Sequence, residues 1–488
     1  MVSLKQFTVS LKQTSLQKFF QTLKTLFLRF PLVIIDSVLI AVSSVMLLSV
    51  TAYPWSDAVA NEKIVDILVH LVAVTALAMP LLAAAQLYTQ QRVWKHLWYQ
   101  IIPSVPVLFG MIIYFFTLPK FSDDLPLVIG IQYIIWTGCA YLLFLVAPFL
   151  SRKGLNDSDQ WWYWGRLVLK RFLLAVLFAG VLFFGIIFSL QAVRFLLQIK
   201  IHEILIPQIW VVLASLVAPW IFLSGLPTVI EHTTHKKTID APILGSFVYF
   251  ILLPLLCVFI FILYLYLGKI VLTWNWPDGG VTHWILAIFL IGLATFFLHH
   301  PIRNEHRHLR NIFRVFFALL IPMMVIFFMA FSIRLEAYGL TANRLLMLGL
   351  GIWMMFVSLS IALRRSPILP HLILSAIIPF FLFTIGPYSA FNIAQRAQNA
   401  DLEALLTKYD LPTSDASYVS TQDCQYMMSA FSYLVTFYGV ETVEPYIGSW
   451  QEKTIHEDTE PKTVFQRKYG LNCQLNTAPY DPDAFLMS

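Results

Sequence analysis

The stretch FLLAVLFAGVLFFGIIFSLQAVRFLL, residues 172–197, carries a single charged side chain, Arg194, close to its end. As a helix it would be about 39 Å long, more than the roughly 30 Å of a bilayer's hydrocarbon core. A helix apolar all round has no aqueous face, so the stretch reads as a membrane span. Runs of the same kind recur at 31–53, 64–89, 101–118, 126–150, 207–227, 243–270, 284–300, 315–333, 345–363 and 370–388. The expected fold is therefore an all-α polytopic membrane protein with about eleven transmembrane helices.

Composition agrees. Of 488 residues, 58% are hydrophobic and 12% charged, against roughly a quarter charged in soluble domains. Mean hydropathy is +0.73. The net charge of +6 is loop charge, and no basic patch interleaved with aromatics suggests nucleic acid as a partner. Positive charge falls in alternate loops: the N-terminal lysines; Arg92 and Lys95; Arg152, Lys153, Arg166, Lys170 and Arg171; Lys236 and Lys237; Arg303, Arg307, Arg310 and Arg314; Arg364 and Arg365. The intervening loops are short and carry Asp57 and Glu62, Asp123 and Asp124, Glu203, and Asp278. Positive-inside bias then places the N-terminus in the cytoplasm. An odd number of spans places the C-terminus outside the cytoplasmic (inner) membrane.

Three regions follow. Residues 1–30 are basic and amphipathic, with VSLKQ at 2–6 and again at 9–13, and read as a cytoplasmic flank or interfacial helix. Residues 31–388 form the transmembrane domain. Residues 389–488 turn polar and are expected to form a small extracytoplasmic domain with a thin apolar core. Cys424 and Cys473 lie there, and outside the cytoplasm a bridge between them would staple that core. Pro80, Pro106, Pro148, Pro219, Pro254, Pro322 and Pro379 fall inside apolar runs, where each removes a backbone donor and is expected to kink or break its helix.

Soluble catalytic signatures are absent: there is no GxxxxGK[ST], HExxH, GxSxG or CxxC. His232 and His235 form an HxxH, and His299, His300, His306 and His308 cluster in a loop, but both groups sit among lysines or arginines and no closed metal shell is implied. No cofactor and no metal is expected. The informative polar residues collect toward the outer ends of the spans. Asp66 and His70 are one turn apart on a single helical face, and Arg194 ends its span. Between two apolar runs stands RLEAYGLTANR, residues 334–344, with Arg334, Glu336, Tyr338 and Arg344 around a YGLT turn in which Gly339 permits the bend and Thr341 can cap the next helix. The last span closes with GPYSAFNIAQRAQ, residues 386–398, which holds Arg396 and Gln398. Charge at membrane depth is costly and marks functional candidates, although arginines near an interface also serve as plain anchors.

These two strings, RLEAYGLTANR and GPYSAFNIAQRAQNADLEALL, resemble the bacterial membrane family called domain of unknown function 4153, mainly over residues 300–406. The resemblance implies a multi-pass membrane protein without an assigned activity, and it marks Arg334, Tyr338, Gly339, Thr341, Arg344, Gly386, Pro387, Arg396 and Gln398 as family-type positions. The leading functional expectation is transport, flipping or envelope biogenesis, with membrane lipids as partners and an anionic headgroup or solute held by outer-face arginines. The alternatives are a non-catalytic scaffold or sensor whose C-terminal domain engages a protein, and a membrane-embedded transferase using Asp66–His70 or Glu336 as base.

Overall fold

A computed structural model describes residues 21–53, 58–90, 101–120, 126–150, 155, 157–227, 246–273, 280–300, 307–363, 369–411, 419–447 and 461–471. Among these residues there is no strand. Eight helices are long and apolar enough to cross a membrane, and three shorter apolar helices occupy Ile102–Thr117, Thr282–Leu298 and Leu369–Thr384. The chain divides into two compact units, one of residues 1–122 and 140–235, the other of 123–139 and 236–488.

The first unit is built around helices α1 (Pro31–Ala52) and α2 (Ala58–Gln90), a 3₁₀ turn leading into α3 (Val105–Thr117), the second part of α4 (Leu127–Val146), and α5 (Ser158–Leu197). It ends with α6 (Leu205–Val212) and α7 (Ala218–Ser224), joined by a π-helical turn. Helix α1 buries Val33, Ser37, Ile40, Ala41 and Ser44 on one face, and α2 buries Ala78, Ala83 and Ala84. Small residues let two helices approach closely where lipid offers no hydrophobic drive of its own.

A ladder of polar contacts sets α1 antiparallel to α6–α7. Arg29 donates to the Leu226 and Pro227 carbonyls at 2.8 and 2.9 Å, and Trp220 Nε1 donates to Ser37 Oγ at 2.9 Å. Gln208 Nε2 reaches Ser49 Oγ at 2.9 Å, and the Tyr53 hydroxyl meets His202 Nδ1 at 2.8 Å. As residue numbers rise along one element they fall along the other, so these contacts together hold one register. At its first rung Arg29 also donates to Gln90 Oε1, while Gln90 Nε2 returns a bond to the Arg29 carbonyl, each 3.0 Å.

The second unit contains a π-helical turn (Val248–Leu252) and α8 (Leu253–Thr273), then α9 (Gly280–His299), α10 (Arg307–Tyr338), α11 (Ala342–Leu363) and α12 (Leu369–Thr384). Its chain continues through α13 (Ala390–Lys408), α14 (Thr421–Tyr438), α15 (Glu444–Ile447) and α16 (Pro461–Tyr469). Phe289 meets Phe317 and Trp353 edge-on at 6.1 and 5.6 Å, and Trp353 meets Phe380 at 6.0 Å, so rings from α9, α10, α11 and α12 share one core. The first part of α4 docks on the end of α12 through Trp136 Nε1, which donates to Thr384 Oγ1 at 2.9 Å.

The prolines act less uniformly than expected. Pro80, Pro322 and Pro379 lie inside helices, but Pro106 and Pro219 stand in first turns, where a missing N–H costs nothing. Pro148 sits in a 3₁₀ turn that ends the run expected to continue to 150. Pro219 and Pro254 each follow a π turn, in which the Ala218 and Leu253 amides reach back to the Leu213 and Val248 carbonyls. Widening the turn relieves the clash between a proline ring and the carbonyl four residues earlier.

Residues after Ser389 bury a cluster of their own. Leu402, Leu406, Met427, Phe431, Leu434, Val443, Tyr446 and Phe465 pack together, with the Phe431 and Phe465 rings stacked at 4.2 Å. A second cluster joins Ala390, Phe391, Ala394, Tyr433 and Phe437 to Ala342 and Leu345 of α11 and Val128 of α4. The polar tail helices are thus packed against the apolar helices of the same unit. Cys424 is buried and disulfide-bonded; its expected partner Cys473 lies outside the described residues.

Candidate functional site

The YGLT turn joins α10 to α11. Gly339 has φ +71, a left-handed backbone that side chains with a Cβ adopt at a cost. Its amide closes α10 onto the Leu335 carbonyl at 3.1 Å. A Cβ here would strike the Tyr426 hydroxyl of α14 and come within 3.2 Å of Gln398 Nε2, so crowding adds to the conformational reason for glycine.

Helices α13 and α14 grip this turn. Gln398, buried, donates through Nε2 to the Leu340 carbonyl at 3.0 Å. The Tyr433 hydroxyl accepts the Ala342 amide at 2.8 Å, satisfying one of the donors left open at the start of α11. Tyr426 donates its hydroxyl to Asp401 Oδ2 at 2.8 Å. Burial first, then the bonded Asp401, pushes the Tyr426 phenol well above its ordinary range, which keeps it a donor at physiological pH. Tyr446 is likewise raised, by burial and then by Glu403, whose Oε1 it meets at 3.2 Å.

Arg344 is 8% exposed and folds back so that Nη1 donates to the Gly339 carbonyl of its own turn. Of the other arginines expected at this site, Arg396 has a described side chain. Arg396 is exposed while Gln398 is buried, because two residues along a helix turn the side chain through about 200°. The backbones of Arg334, Glu336 and Tyr338 belong to α10, and their side chains lie outside the described residues. Among the described side chains, Arg344, Gln398 and Tyr433 bond backbone groups of the turn and Tyr426 bonds Asp401, an arrangement that holds the turn.

The remaining candidates belong to the first unit. His70 Nε2 bonds the Pro119 carbonyl at 2.7 Å, so that nitrogen carries the proton, and the ring stands edge-on to Phe115 at 5.7 Å. Asp66 is half-buried one turn earlier on α2. The His70 bond ties α2 to the end of α3. Arg194, in the last turn of α5, is exposed and lines an open cavity of about 530 Å³ with Gln198, Lys200, His202 and Glu203. Gln198, at φ +53, ends the helix and turns the chain into this loop, and the Tyr53–His202 bond fastens the loop to the end of α1. Arg194 and Lys200 line the cavity together with the Glu203 carboxyl.

Sequence reasoning missed Tyr426, Tyr433 and Asp401. The signal was present: Tyr426 and Tyr433 are seven residues apart and share one face of α14. Among the described residues no group of three His, Cys, Asp or Glu could hold a metal ion. His232, His235 and His306 lie outside the described residues, as do the side chains of His299 and His308, whereas His300 is buried.

Comparison with known proteins agrees with the family resemblance and widens it. A curated relative, Uncharacterized protein PM1469 of Pasteurella multocida (strain Pm70), is 23% identical over 296 residues, which cover 55% of this chain and 50% of that protein. The chain thus spans about half the length of the curated relative it matches. No solved structure matches. The family called domain of unknown function 4153 (DUF4153) matches residues 41–418, taking in most of the apolar helices, the YGLT turn and α13. Matched over well more than half its length, the chain belongs to the DUF4153 family of unknown function.

Proposed function

We propose that this membrane protein binds an anionic headgroup or solute at the outer face of the bacterial cytoplasmic membrane, in the service of transport, flipping or envelope assembly. In this reading the N-terminus is cytoplasmic and the C-terminus external, and the three shorter apolar helices cross along with the eight long ones. The supporting observation is the open cavity where Arg194 and Lys200 face solvent beside His202 and Glu203. It lies at the end of α5, a helix whose Phe184, Phe188 and Phe195 are 72, 78 and 85% exposed and so suited to lipid contact. Arginine and lysine at such a boundary match a phosphate or carboxylate, and the helix beneath would lie among acyl chains.

The test is native mass spectrometry of the purified chain, wild type beside Arg194→Gln/Lys200→Gln. Retention of an anionic lipid or added phosphate by wild type, with binding roughly tenfold weaker in the variant, fits the reading. Equal retention by both refutes it.

A second reading, a scaffold or sensor acting through the C-terminal helices, draws support from the grip of Gln398, Tyr426 and Tyr433 on the α10–α11 turn. A protein partner that displaced α13 or α14 would act directly on the membrane hairpin. Deleting residues from about 410 onward without phenotype would refute it. A transferase role at Asp66 and His70 has less support, since His70 Nε2 is already committed to a backbone carbonyl.

A further inference from the structure

Asp36 is the only ionisable side chain in α1. It is 6% exposed, and its Oδ2 has no hydrogen-bond partner. Among the described residues, the helices packed most closely on α1 bring no ionisable group to its level: α2 has none from Leu71 to Leu87, and the chain from Ile204 to Pro227 has none. The nearest titratable groups by register are Arg29 and Tyr88, with Arg171 across α7 at Gly225, all toward the end of the bundle, and Arg29 is occupied by Leu226, Pro227 and Gln90. A carboxyl in a membrane span without a compensating side chain is a functional-site candidate by default.

A second unpartnered acceptor lies on the helix packed against α1. Gln86, on α2, is 3% exposed and its Oε1 has no partner. The reciprocal Arg29–Gln90 bonds put those two residues level, and the Phe30 and Ile34 amides continue the helix between Arg29 and α1. From that level Asp36 is about 10 Å along one helix and Gln86 about 6 Å along the other, in the same direction, because the helices are antiparallel. The two acceptors are therefore offset by only about 4 to 5 Å along the bundle. Two buried acceptors without partners are unfavourable as they stand, and one proton shared between them would satisfy both. On Asp36 Oδ2 it removes the charge and turns an acceptor into a donor, which Gln86 Oε1 can accept.

We propose that Asp36 is a reversible proton-binding site within the membrane helices, with Gln86 as the acceptor of the carboxyl hydrogen. A proton from water adds to Oδ2 and returns to water when the α1–α2 contact opens. A protein that moves a charged solute could couple to a proton gradient at such a residue. The proposal involves none of the residues at the Arg194 cavity, so either can fail without the other.

The test is infrared difference spectroscopy of the full-length protein in lipid between acid and alkaline buffer. The wild type is expected to show a buried protonated-carboxyl C=O band that Asp36→Asn, isosteric and neutral, removes. Gln86→Leu should keep the band but move it to higher frequency, as loss of a hydrogen bond to the acid requires. A spectrum unchanged by Asp36→Asn overturns the proposal, and so does a band that follows sodium at constant pH. Should Asp36→Asn fail to fold, the Gln86→Leu variant carries the test alone, and an unshifted band overturns the assignment.

Discussion

Replacing Gly339 by alanine should loosen the C-terminal helices from the membrane hairpin. The backbone at φ +71 costs a Cβ-bearing residue about 1–2 kcal/mol. The added methyl would also strike the Tyr426 hydroxyl, and the ring cannot swing away without breaking its bond to Asp401. A hydrogen bond to a charged group is worth about 1.5–3 kcal/mol, and the lower end applies because both partners are half-buried. Gly339→Ala should therefore cost about 3 kcal/mol in all. The clash term has a signature of its own. In a Tyr426→Phe background the obstructing oxygen is gone, so the same substitution should cost only the backbone strain, about 1–2 kcal/mol. Denaturant unfolding in detergent and hydrogen exchange in residues 390–438, measured over the four corners of this cycle, give the coupling directly. An equal cost of Gly339→Ala in both backgrounds would refute the crowded-turn account, and no cost in either would refute the strain as well.

Other expectations follow from neighbouring contacts. Gln398→Leu leaves the Leu340 carbonyl without its partner and should cost about 1–3 kcal/mol, with faster exchange in α13; Arg396→Leu on the exposed side should change neither. Trp220→Phe removes one rung between α7 and α1 and should lower stability by about 1 kcal/mol, read from thermal unfolding. Asp423 is held below its ordinary range first by the hydrogen bond from Lys408 and then by that from Tyr409, and Lys408 is raised by Asp423. The carboxylate's contribution is thus present above its unfolded value near pH 4 and lost as pH falls through the lower folded value. That of the amine is lost only as pH rises past its raised value. Opening at the start of α14, from exchange corrected for the intrinsic rate, should therefore be flat through neutral pH and rise in acid, and Lys408→Met should shrink that rise. Finally, a Cys424–Cys473 bridge would make α14 and α16 sensitive to reductant, by about 2–4 kcal/mol, while leaving the α1–α7 helices unaffected; an identical unfolding profile with and without reductant would exclude it.

The membrane character of this chain is a local property. Whether residues 172–197 can cross a bilayer depends on their own length and apolarity, since a hydrocarbon solvent penalises each polar group where it stands. The same holds for the glycine in YGLT, and the two strings at 334–344 and 386–406 were enough to indicate the family. Which polar groups meet is a different kind of fact. Each residue rotates a side chain by about 100° about its helix, so partner choice depends on the rotation and crossing of helices distant in sequence. Arg344 read as an open guanidinium, but it is directed at the carbonyl of Gly339. Arg396 and Gln398 read as neighbours and lie on opposite sides of α13. Tyr426 and Tyr433 gained their roles only when α14 was laid across the α10–α11 turn, and Asp36 stands out only because the helices packed around it bring no charge to its level.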